Sequence, residues 1–134
     1  MKIVYLPLCA DPLHYGHIRL IKRAQTYGNV ILGLMSDKAI TSYKNIPQIS
    51  FNYRQEVLAE LKGIYKIVAE EADFSTYLQL KPDIIIHGND WASVNHRLYN
   101  TCLKLIKIMQ KWNGQLIEPK TTKGVSSTWI KNSV

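Results

Sequence analysis

Apolar residues along this chain follow two periods, and the alternation between them lays out a fold. Lys2-Ile3-Val4-Tyr5-Leu6 is a short β-rich run, after which Ile18, Leu20, Ile21 and Ala24 recur at helical spacing. Gly28-Asn29 ends that helix. Val30 to Met35 is then continuously apolar, the pattern of a strand covered on both faces. Ser36-Asp37 caps a short helical stretch ending near Tyr43, and Phe51 to Leu61 makes the next helix. Ile64 to Ala69 reads as a third strand and Phe74 to Leu80 as a helix. The break Lys81-Pro82-Asp83 precedes a fourth, buried strand, Ile84-Ile85-Ile86-His87. Leu98, Cys102, Leu105, Ile106 and Met109 mark an amphipathic helix from His96 to Trp112. Asn113-Gly114 ends it, and Gln115 to Glu118 supplies a fifth strand that Pro119 closes.

Strands that alternate with helices predict an α/β chain: a five-stranded parallel sheet with helices on both faces, a Rossmann-like three-layer fold. Right-handed crossovers place ligands at the carboxyl ends of the strands. With 134 residues, the expectation is one domain spanning residues 1–134. No internal repeat, linker or low-complexity segment interrupts it.

The first strand hands over to the first helix through Asp11-Pro12-Leu13-His14-Tyr15-Gly16-His17. Pro12 and Gly16 punctuate the turn. The amides of the first helical turn, with the positive end of the helix dipole, suit an anionic phosphate. Two histidines three apart there can bind a metal, act as acid and base, or donate hydrogen bonds to phosphate oxygens; a loop histidine beside a helix cap is the plain alternative. Position favours donation to phosphate, since nothing local completes a metal set.

Composition narrows the partners. A formal charge of +7 suits an anionic ligand, but the 17 basic residues are scattered rather than gathered into an arm, so a polyphosphate nucleotide explains the balance as well as nucleic acid does. No apolar run reaches membrane-spanning length and no signal peptide opens the chain, so a cytoplasmic location is expected. Cys9 and Cys102 form no disulfide framework.

Four further positions carry candidate chemistry. Lys44 lies in Lys44 to Ser50, which contains Pro47, has little periodicity and reads as a mobile loop; its ammonium suits a triphosphate, or is simply solvated. Arg54 offers a fork that matches phosphate, or is a surface helix arginine. Gly88-Asn89-Asp90-Trp91 follows a strand's carboxyl end, where it is either site or helix cap with a packed indole. Thr121 to Thr128 places hydroxyls, Lys123 and Gly124 ahead of a terminal helix at Trp129-Ile130-Lys131, a second phosphate entry or a set of caps.

His14-Tyr15-Gly16-His17 resembles the H-x-G-H signature of the nucleotidyltransferase superfamily that includes the cytidylyltransferases, pantetheine-phosphate adenylyltransferase and the nicotinamide-mononucleotide adenylyltransferases. Gly124-Val125-Ser126-Ser127-Thr128 resembles the G-I-S-[ST]-T of cytidylyltransferases, and Gly88-Asn89-Asp90-Trp91 their G-D-D-W. Ser36-Asp37-Lys38-Ala39-Ile40, Ser42-Tyr43-Lys44, Tyr53-Arg54-Gln55-Glu56 and Trp112 to Glu118 are most similar to the cytidylyltransferase domains associated with phosphoenolpyruvate mutase, with glycerol-3-phosphate cytidylyltransferase next. Four departures remove a charge from, or near, the pocket: Asn89 in G-D-D-W, Ala92, Thr121 and Tyr65.

The resemblance implies transfer of CMP from CTP to a small phosphonate or phosphate-bearing alcohol with release of pyrophosphate. His14, His17, Lys44 and Lys123 would be catalytic. Leu8, Cys9, Ala10, Asp11, Gly16, His87, Gly88, Asp90, Trp91, Thr122, Gly124, Val125, Ser126, Ser127 and Thr128 would bind the nucleotide, and Arg54 and Trp91 the acceptor. Mg2+ would bridge the phosphates with Asp11 as its candidate protein contact, the plain alternative being that Asp11 stiffens the loop by capping backbone amides, and the chain would form a homodimer without a fused mutase domain. The rivals are an adenylyltransferase of the same fold, a non-catalytic nucleotide- or nucleic-acid-binding module, and a zinc site drawn from the four histidines and two cysteines.

Overall fold

A computed structural model describes residues 1–43, 46–87 and 99–119. Its elements run β1 (Ile3–Leu8), α1 (Tyr15–Gln25), β2 (Asn29–Met35), α2 (Asp37–Tyr43), α3 (Phe51–Leu58), β3 (Lys66–Glu70), α4 (Ser75–Leu80), β4 (Ile84–Ile86), α5 (Tyr99–Met109), a 3-10 turn (Gln110–Trp112) and β5 (Gln115–Ile117). All five strands are parallel, in the order β3-β2-β1-β4-β5. The α/β sheet expected from the periodicity is therefore the sheet observed.

Alternation along the strands divides the core into two layers. Val4, Leu6 and Leu8 of β1, Val30, Leu32 and Leu34 of β2, and Ile84 and Ile86 of β4 point to one face, where Ile21 and Ala24 of α1 and Leu58 of α3 cover them. Tyr5, Ile31, Met35 and Ile85 point to the other and meet Ala39 and Ile40 of α2, Tyr77 of α4, and Cys102, Leu105 and Met109 of α5. Each such aliphatic side chain, fully buried, contributes about 1.5–3 kcal/mol. Gly33 has no side chain for a specific reason: a Cβ there would overlap the Tyr5 phenol, which lies across it.

Several boundaries move. β1 continues through Pro7 to Leu8, two residues beyond the expected end, pairing Pro7 with Gly33 and Leu8 with Leu34. α3 stops at Leu58 rather than Leu61, because the amides of Glu60 and Leu61 turn back to Val57 and Leu58 three residues earlier. Phe74 sits outside α4 in the left-handed region at φ 56°. His96 to Leu98, the expected start of the fifth helix, lie outside the described residues.

Candidate functional site

β1, central in the sheet, delivers the chain at its carboxyl end to Cys9, Ala10 and Asp11, and from there to the entry of α1. His14 is the N-cap of α1, extended at φ −143° and ψ 177°. Its Nδ1 accepts the Gly16 amide at 3.1 Å, and its own amide donates to Nδ1 of His17 at 3.1 Å. The two imidazoles thus form a reciprocal capping box, with ring centroids 3.9 Å apart and planes 36° from parallel.

Two consequences follow. A neutral imidazole whose Nδ1 accepts carries its proton on Nε2, so both rings present Nε2–H as a donor. Burial lowers the His14 pKa and favours that neutral form. The second consequence narrows the expectation that first-turn amides receive an anion: the Gly16 amide already donates to the His14 ring at 3.1 Å and the His17 amide to the His14 carbonyl at 3.0 Å.

Asp11 is 1% exposed, and its two oxygens accept the amides of Ile49 (2.8 Å) and Gln48 (3.0 Å). It does not fit the expected magnesium contact, because a carboxylate so enclosed and so engaged offers a cation no open face. It ties the chain at 48–49 to the histidine loop, so that part of the Lys44 to Ser50 segment is held rather than mobile. No group of three His, Cys, Asp or Glu side chains among the described residues is arranged to hold a metal ion, so the zinc reading gains nothing here.

Arg54 corrects a second expectation. It is 1% exposed, and its guanidinium donates to the carbonyls of Ile49, Cys9 and Met35, each at 2.8 Å, and to Oδ1 of Asp37 at 2.7 Å. Committed to four acceptors inside the protein, it is not presented to an acceptor substrate. The sequence did hold a signal: Phe51, Arg54 and Leu58 share one face of α3, and that face packs inward.

The remaining positions are distributed as follows. Leu8 is buried at the end of β1, Cys9 half-buried and Ala10 buried beside it, and Gly16 lies in the first turn of α1. His87 follows β4 directly and its amide donates to the Ile117 carbonyl at 3.1 Å, placing it at the same end of the sheet as the histidine pair. Tyr65, expected in or near the pocket, is 63% exposed and immediately precedes β3, its amide on the Val30 carbonyl, at the opposite, amino end of the parallel strands. Lys44, Gly88, Asn89, Asp90, Trp91, Ala92, Thr121, Thr122, Lys123, Gly124, Val125, Ser126, Ser127 and Thr128 lie outside the described residues.

Sequence reasoning missed one buried network. Glu70 is fully buried; Oε1 accepts the Tyr5 hydroxyl (2.6 Å) and the Tyr77 amide (2.9 Å), and Oε2 the amides of Glu71 and Thr76 (each 3.1 Å). Burial raises the Glu70 pKa against the opposing pull of those donors, and burial followed by the Glu70 charge raises that of the Tyr5 phenol. Tyr5 reads in sequence as one more β-forming residue, and nothing local pairs it with a glutamate 65 positions away.

The central strand of the α/β sheet ends in a reciprocal histidine pair at a helix entry, and this is the stretch that resembles the H-x-G-H signature of the nucleotidyltransferases. The chain belongs to the cytidylyltransferase-like family, whose model matches residues 7–133. Bifunctional protein HldE of Geobacter metallireducens is 36% identical over 96 residues, 68% of this chain and 20% of that protein. The protein of the same name from Magnetococcus marinus is 29% identical over 134 residues, 96% of this chain and 26% of its own length. The chain therefore spans about a fifth to a quarter of these curated relatives. A lipopolysaccharide core biosynthesis protein from Thermoplasma volcanium GSS1 has the same fold, with a TM-score of 0.72 at 23% identity over 93% of this chain and 99% of that one. No helix among the described residues is long and apolar enough to cross a membrane.

Proposed function

We propose that this domain transfers CMP from CTP to a small acceptor bearing a phosphate or phosphonate, releasing pyrophosphate. The observation that carries the reading is the histidine pair, two Nε2–H donors locked side by side at the carboxyl end of β1 in a chain of the cytidylyltransferase-like family. The acceptor oxyanion is already ionised at neutral pH, so it attacks the α-phosphorus without a general base. One P–O bond forms, the α–β bridging P–O bond breaks, and its electron pair leaves with pyrophosphate. His14 and His17 hydrogen-bond the phosphate oxygens as charge moves toward the leaving group. Magnesium would accompany the triphosphate and offset part of its charge, and no described side chain is assigned to it. Lys44 and Lys123 neutralise the polyphosphate, Ser126, Ser127 and Thr128 hold it, and Asp90 and Trp91 serve the base or the acceptor, as the resemblance implies for each. Two copies of the domain form the working unit on the same ground.

The test is pyrophosphate release with magnesium, offering CTP and ATP separately against 2-hydroxyethylphosphonate, 2-aminoethylphosphonate, glycerol 3-phosphate and phosphocholine. Release with CTP and one acceptor, reduced about a hundredfold or more in His17→Ala, supports the reading. Release with ATP alone makes the domain an adenylyltransferase. Nucleotide binding without release under every condition makes it a binding module.

A further inference from the structure

Ala10 is the one residue between β1 and α1 with a left-handed backbone, at φ 51°, and it is 3% exposed. A residue with a Cβ holds that conformation only where its surroundings over-determine it. Both of its neighbours are clamped, one by Arg54 of α3 and the other by the 48–49 stretch that leads into that helix. The Cys9 carbonyl accepts from Nη1 of Arg54, and the Asp11 carboxylate accepts the amides of Ile49 and Gln48. Arg54 in turn fixes that segment through the Ile49 carbonyl, and fixes the end of β2 through the Met35 carbonyl. Asp37 at the start of α2 accepts from both Arg54 and the Phe51 amide (3.3 Å), which locks α3 in place behind the turn.

We propose that Arg54 is a positioning residue for nucleotidyl transfer: through Cys9, and together with Asp11 through the 48–49 amides, it holds the Ala10 turn in the shape that delivers His14 and His17. The functional half of this inference rests on the nucleotide reading above; the brace itself rests on the fold. A planar fork with donors on three nitrogens reaches four acceptors at once, which the single nitrogen of a lysine does not. Arg54→Lys keeps the buried charge and loses the geometry.

Two quantities decide it: amide hydrogen exchange at Gln48 and Ile49, and the affinity for CTP and for ATP, each titrated calorimetrically with magnesium. Arg54→Lys is expected to speed exchange at both amides and to weaken binding of whichever nucleotide the wild type takes, each by about tenfold. Adding Ala10→Gly is expected to restore much of the affinity, since glycine adopts the turn unaided. Leu58→Ala, a core truncation in the same helix, serves as the control that lowers stability without moving either quantity more than about twofold. Unchanged exchange in Arg54→Lys overturns the brace. Unchanged nucleotide affinity in Arg54→Lys, or an affinity loss that Ala10→Gly does not relieve, overturns positioning through the turn. If the wild type binds neither nucleotide, the nucleotide reading fails, while exchange at Gln48 and Ile49 still decides the brace. If Arg54→Lys does not fold, Asp11→Asn, which sets an amide against an amide, goes through the same measurements and is expected to give the same result.

Discussion

Of the charged side chains buried at the carboxyl end of this sheet, Arg54 and Glu70 differ in what they hold. Arg54, packed on the α1–α3 face, is a cation satisfied by the carbonyls of Cys9 after β1, Met35 at the end of β2 and Ile49 before α3, and by the Asp37 carboxylate at the start of α2. Glu70 at the end of β3 is satisfied by three amides and a phenol: the amides of Thr76 and Tyr77 at the start of α4, the Glu71 amide beside it and the Tyr5 hydroxyl of β1. The physics is common to both: a buried charge persists only if its hydrogen-bonding capacity is filled by protein. The consequence is not. The arginine network spans the segments that shape the candidate site, whereas the glutamate network ties the end of β3 to the first turn of α4 and to β1. Burial and saturation alone therefore do not distinguish a site-forming group from a scaffold; the identity of the bonded partners does.

The sharpest way to break that contrast is to delete the scaffold network. Glu70→Ala leaves three amides and a phenol without their acceptor and is expected to destabilise the domain by about 3–5 kcal/mol, with nucleotide affinity within about twofold of wild type wherever the variant remains folded. Chemical denaturation paired with CTP titration checks both halves. A loss of affinity larger than the stability loss accounts for would join the two networks into one.

A smaller effect is expected from Tyr5→Phe. It removes a single donor from Glu70 and leaves the ring packed over Gly33 and against Tyr77, 5.8 Å away between centroids. The cost should be about 1–3 kcal/mol, read from the denaturation midpoint, again without change in nucleotide binding.

The smallest effect concerns the histidine pair. The His14 pKa in the folded state lies below its unfolded value of 6.5, so the unfolded chain binds more protons through that interval. The contribution of the cap is therefore present above pH 6.5 and is lost as pH falls through the folded value. Melting temperature should drop on acidification from about pH 8 to 5 more steeply in wild type than in His14→Asn, whose side-chain oxygen caps α1 without titrating. Parallel curves for the two would show that protonation does not disturb the imidazole pair.

The local order of residues was enough for much of this protein. Near-continuous apolar runs in β1, β2 and β4 marked strands covered on two core faces, because a strand buried on both sides has no polar positions to place. The H-x-G-H stretch located the helix entry at the end of β1 by the same local reading. Boundaries at Leu8 and Leu58 shifted by two or three residues, since the ends of elements depend on what they pack against. Only the tertiary structure decided the roles of Arg54, Asp11 and Glu70. Asp11 meets Ile49 across 38 residues, Arg54 meets Cys9 across 45, and Glu70 meets Tyr5 across 65, and no local pattern records a partner so distant. A sequence specifies which side chains a helix turns inward; whether a charge turned inward finds a ligand or finds the protein's own backbone is settled by the chain that folds over it.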